Sequence, residues 1–141
     1  MTCSHPPSRP LPRGQLLFGT LNAFPVACLT LVPLTDLVYI QTSNLMWLHF
    51  SEWLLLLGTS FAVIVLALRA VQHLTRHRRL YWPVGLLKLV VVAIAIVNNL
   101  VHTADGWTAV VPWGVTLSIV TVLAMFLAGL LDHRTGGLHH V

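Results

Sequence analysis

The sequence predicts an all-α membrane protein, four transmembrane helices in an up-down antiparallel bundle whose first helix is kinked by proline. Three observations predict it. Only eight of 141 residues are Lys or Arg and four are Asp or Glu, 9% charged against about 25% in an ordinary soluble domain. Hydrophobic residues make up 56% of the chain and the mean hydropathy is +0.80. The apolar residues also gather into four long runs, each near the roughly 20 residues that a helix needs to cross a hydrocarbon core about 30 Å thick. So few charges cannot cover a soluble surface, which excludes a cytosolic enzyme. The same composition excludes intrinsic disorder, which needs charge and lacks apolar residues.

The first run spans residues 16–40 and contains Pro25 and Pro33, each of which removes a backbone hydrogen bond and kinks a helix. Arg13 precedes it as in a signal peptide, but the run is long and no small-x-small cleavage site follows, so it reads as a retained helix. The second run spans 47–68, the third 83–101 and the fourth 110–131, with Pro83 and Pro112 in first turns, where proline is tolerated. Only Asp36, Glu52 and Lys88 are charged inside the four. Backbone groups in hydrocarbon must be satisfied within the segment, so each run is a helix. A barrel strand would be shorter and would alternate. The short connections make consecutive helices antiparallel neighbours. Gly58-x-x-x-Ala62, Ala124-x-x-x-Ala128 and several hydroxyls supply the small and polar contacts that bind helices in lipid. The division expected is a Pro-rich, disordered cytoplasmic tail (1–14), a transmembrane domain (15–131) and a short cytoplasmic tail (132–141).

Arg9 and Arg13 precede the first run, Arg69, Arg76, Arg78 and Arg79 follow the second, and Arg134 follows the fourth, while the other two connections have no Lys or Arg. By the positive-inside rule both termini and the central connection are cytoplasmic, as in a multi-pass protein of a bacterial inner membrane. Trp47, Trp53, Trp107 and Trp113 mark the outer interface, Tyr81 and Trp82 the inner one. The pI near 9.8 therefore reports topology and not a nucleic-acid partner. Cys3 and Cys28 differ in membrane depth, which opposes a disulfide.

Ionisable residues at membrane depth are candidate functional residues. At the outer ends of three helices, Asp36, His49, Glu52, His102 and Asp105 form a candidate polar cluster free of Lys and Arg, of a chemistry suited to a divalent metal or a proton relay. Its spacing matches no specific ligand motif. At the inner end Lys88 is expected to snorkel and pair with Asp132. Arg69, Arg76, Arg78 and Arg79 are expected to meet anionic lipid headgroups. Asn22, Asn98 and Asn99 are expected to hydrogen-bond between helices.

The run Leu21-Asn22-Ala23-Phe24-Pro25-Val26-Ala27 followed by Thr35-Asp36-Leu37-Val38-Tyr39, the stretch Thr42-Ser43-Asn44-Leu45-Met46-Trp47, and Asn98-x-x-x-His102-x-x-Asp105-Gly106-Trp107 together resemble the domain-of-unknown-function 2231 family of predicted bacterial four-helix membrane proteins. The resemblance implies the fold and the location and supplies no activity. Where many members carry His near the starts of the first and third helices, this chain has Phe18 and Val84. The function expected is that of a non-enzymatic anchor or accessory subunit of a membrane or periplasmic assembly, because no nucleophile–base pair can be named. No cofactor is expected. The competing readings are an electron-transfer subunit holding b-type haem or quinone, with His49 and His102 as the available imidazoles, and a small proton- or ion-linked transport component using Asp36, Glu52 and Lys88. Expected partners are the lipid bilayer and either a second copy of the chain or another membrane or periplasmic protein.

Overall fold

The computed structural model describes residues 13–76, 82–103 and 110–137. Four helices hold nearly all of them: α1 (Arg13–Thr42), α2 (Leu45–Arg76), α3 (Trp82–His102) and α4 (Val115–Gly137), the last entered through a π-type turn at Val110–Gly114. No strand occurs among the described residues. Each of four segments is long and apolar enough to cross a membrane: Gly19–Thr42, Leu45–Thr75, Pro83–His102 and Val110–Arg134.

The helices outrun the apolar stretches that announce them, because hydropathy marks the membrane core and the hydrogen-bond ladder continues past it. α2 extends to Arg76 through Arg69, Gln72 and His73. α4 extends to Gly137, so residues 132–137, expected as tail, are helical. α1 begins at Arg13, inside the expected tail, while residues 1–12 lie outside the described residues.

Between α1 and α2 only Ser43 and Asn44 intervene, where a longer connection (41–46) was expected. Ser43 takes a left-handed backbone (φ 51°), and its N–H donates to the Tyr39 carbonyl at 2.8 Å, closing the end of α1. Asn44 then caps α2, its side-chain oxygen accepting from Met46 N–H at 3.0 Å. Val111 is extended (φ −114°, ψ 124°), as proline requires of the residue before it. Helical backbone resumes after it, with the Thr116 hydroxyl donating to the Pro112 carbonyl at 2.7 Å, so Pro112 stands at the start of the fourth helix, where proline is tolerated.

Gly58 of α2 sets the approach to α1: a Cβ there would lie 3.0 Å from Leu29 Cγ and 3.1 Å from Cys28 Cβ. Further along, Thr35 and Ser51 share a hydroxyl hydrogen bond of 2.6 Å, and Phe24 tilts against Phe61 at 4.6 Å. Since 29 meets 58 and 35 meets 51, α1 and α2 run in opposite directions. Contacts of Asn98 with Ser118 and of Lys88 with Asp132 give the same relation for α3 and α4. All four helices contribute to one core, where Leu54 and Met125 pack against buried Leu29, Val32, Leu55 and Ala95. A second core at the α1–α2 turn joins Tyr39, Leu48 and Val110. Outward faces are as apolar as the core, with Leu34, Phe50, Leu89, Leu123 and Phe126 all exposed, a surface suited to lipid and not to water.

Candidate functional site

The end of the bundle that holds the α1–α2 turn contains a closed ring of polar side chains. α1 brings Asp36, α3 brings Asn98 and His102 from one face four residues apart, and α4 brings Ser118. Asp36, Asn98 and His102 have no exposed surface (0%). From Asn98, the side-chain amide donates to Ser118 Oγ at 3.0 Å. The Ser118 hydroxyl donates to Asp36 Oδ2 at 2.9 Å. Asp36 Oδ1 lies 3.1 Å from His102 Nε2. His102 Nδ1 lies 3.0 Å from the Asn98 carbonyl oxygen, which returns the ring to its starting residue. The Thr35–Ser51 bond, beside Asp36 in sequence, ties α2 to α1 near the same level.

The geometry dictates a protonation count. A carbonyl oxygen only accepts, so His102 Nδ1 carries a hydrogen. Nε2 faces a carboxyl oxygen, and that contact also needs one proton, held either on Nε2 or on Oδ1. The pair is therefore imidazolium with carboxylate, or imidazole with carboxylic acid. Both forms have zero net charge, which is what an environment without water tolerates. Asn98 Oδ1 is the ring's remaining acceptor and finds no donor among the described residues.

Of the five residues expected to cluster, the structure joins Asp36 and His102. His49 and Glu52 instead pair with each other at 3.1 Å on α2, and the His49 side chain is 65% exposed. Asp105 lies outside the described residues. Ser118 and Asn98 are ring members that charge-seeking along the sequence passes over, Ser118 as a packing hydroxyl and Asn98 as an interhelical bond. The signal for Asn98 was its four-residue spacing from His102. No group of three or more His, Cys, Asp or Glu placed to hold a metal occurs among the described residues. Both ring nitrogens of His102 are engaged in this arrangement, Nε2 with Asp36 and Nδ1 with the Asn98 carbonyl.

At the opposite end Lys88 meets Asp132, and Arg69 joins the same carboxylate at 3.5 Å. Arg69, expected at lipid headgroups, thus also takes part in an ion pair. Arg78 and Arg79 lie outside the described residues, and Arg76 ends α2.

Among curated proteins and among solved structures nothing matches the chain. A family model described as a predicted membrane protein (DUF2231) matches residues 19–140, the region that contains the four apolar helices, the ring and the ion-pair end. The chain belongs to the DUF2231 family of predicted membrane proteins.

Proposed function

We propose that this chain is a non-enzymatic component of a bacterial inner membrane, an anchor or accessory subunit with both termini cytoplasmic, whose polar residues serve to fasten its own helices together. The observation that supports this reading is the closure of the ring. The ionisable groups buried at membrane depth at that end, Asp36 and His102, are bonded to partners on other helices or to the backbone, leaving no open base aimed at a substrate. The helices meanwhile present apolar faces outward, the kind of surface on which another membrane protein or a second copy packs through small and apolar residues. Extraction in mild detergent tests it. The chain is expected to co-purify with a defined partner or as a homo-oligomer, and a monodisperse monomer would count against the reading.

One observation favours a second reading, a proton-linked component: the 3.1 Å contact between His102 Nε2 and Asp36 Oδ1, which requires a proton between them. Asp36→Asn separates the two. An Asn side chain at 36 can donate to Nε2 and accept from Ser118, so it preserves every bond of the ring and removes the exchangeable proton. A fastening role predicts that Asp36→Asn keeps the assembly and the cellular phenotype. Loss of the phenotype in a folded, correctly assembled Asp36→Asn protein would favour the proton-linked reading.

A further inference from the structure

At the end opposite the ring, a cavity of about 470 Å³ opens between the four helices. Its depth is apolar, formed by Leu29, Val92 and Met125, and its other end is charged, with Arg69, Lys88 and Asp132. The same three charged residues border a second, apolar groove of about 720 Å³ along α2 and α3. Two cations therefore stand where two apolar channels meet.

The charges there do not balance. The chain has four acidic residues. Asp36 is committed to His102 and Glu52 to His49 at the other end, and Asp105 follows the last residue of α3, His102, in the sequence. Asp132 is the one acidic side chain that the sequence supplies near Arg69 and Lys88, and both cations share it. Arg76, Arg78, Arg79 and Arg134 follow close by in sequence. This end therefore carries an excess of positive charge, which attracts anions from outside the chain.

We propose that the cavity holds one anionic phospholipid, its phosphate against Arg69 and Lys88 and an acyl chain laid into the apolar depth. A zwitterionic lipid would bring its own cation to a site that already has a surplus. A free anion would leave the apolar depth unfilled. The volume falls in the range of about 300–1,000 Å³ typical of small-molecule sites, and basic residues at the cytoplasmic surface attract anionic headgroups.

The test uses the full chain purified in a neutral detergent and titrated with phosphatidylglycerol, phosphatidylcholine or inorganic phosphate, with retention read by native mass spectrometry. Phosphatidylglycerol is expected to be retained at least about tenfold more tightly than phosphatidylcholine, and phosphate alone not at all. Arg69→Gln combined with Lys88→Gln is expected to weaken phosphatidylglycerol about tenfold or more, as loss of charge-assisted bonds does. That variant leaves Asp132 without two of its partners, so a second one keeps the charges in place. Gly129 lines the cavity and a Cβ there meets no atom within 4 Å, so Gly129→Leu grows into the space the acyl chain would occupy. It is expected to melt as the parent does and to lose phosphatidylglycerol. Equal retention of the two lipids, or phosphatidylglycerol binding untouched by Gly129→Leu, would overturn the proposal. So would tight retention of phosphate alone, which would assign the cations to a soluble anion.

Discussion

Asp36 shows how much depends on the difference between an atom that accepts and one that donates. Asp36→Ala deprives His102 Nε2 and the Ser118 hydroxyl of their partner at once, and removing one member of a buried pair costs about 3–5 kcal/mol. Asp36→Asn keeps both bonds and is expected to melt close to the parent. Thermal unfolding of the two variants in the same detergent checks the contrast, and equal losses would mean that the ring is not bonded as described. Ser118→Ala removes the link between Asn98 and Asp36 and is expected to lower stability by about 1–3 kcal/mol, read as a lower unfolding midpoint. At this scale the sequence was legible where charge is rare. Asp36 and His102 are conspicuous because so few ionisable residues enter or border the apolar runs. Ser118 is chemically as important, but one hydroxyl among many carries no such mark. His49 and Glu52 lie three apart and so share one face of α2, yet which way that face turns depends on the packing of α2 against α1, where Gly58 closely approaches Leu29, and no spacing within α2 encodes it.

Among the elements, the helix pair α1–α2 is held by a glycine at its crossing and by a cap at its turn. Gly58→Ala would bring a methyl group within 3.0–3.1 Å of Leu29 and Cys28. It is expected to push the helices apart at a cost of about 1–3 kcal/mol. Gly129→Ala meets open space and is expected to be neutral or to gain up to about 1 kcal/mol from helix propensity. Unfolding curves of the two glycine variants, opposite in sign, check that the crossing and not glycine itself is responsible. Asn44→Ala removes the cap on α2 at about 1 kcal/mol. The existence of all four helices could be read from hydropathy alone, because a span must cross the bilayer. Their full lengths and ends could not. Arg69 to Arg76 and Asp132 to Gly137 are too polar for hydrocarbon and still helical, and the tight turn at Ser43 depends on one left-handed residue and one side-chain oxygen.

For the molecule as a whole, the charge asymmetry makes a topological prediction. In a Cys3→Ser background, with Cys28 buried, Ser43→Cys in the α1–α2 turn is expected to react with a membrane-impermeant thiol reagent applied to cells with an opened outer membrane. Thr75→Cys, near the end of α2, is expected to react only after the inner membrane is broken. The reverse pattern would invert the orientation. The hydrophobic exterior that makes the four-helix fold easy to foresee also hides its interior, since inward and outward residues are alike in polarity and periodicity separates them weakly. The ring at the α1–α2 end has one more consequence, which concerns voltage. Moving its shared proton between His102 and Asp36 displaces one charge by less than the 3.1 Å that separates the two atoms, about a tenth of a 30 Å core. A full crossing is worth about 2.3 kcal/mol per 100 mV, so the field does no more than about 0.2 kcal/mol of work on that shift. That internal shift is electrically silent, so with the proton confined to the ring any effect of Asp36 variants is expected to be the same in polarised and depolarised cells, whereas a dependence on polarisation would mean that the proton leaves the ring.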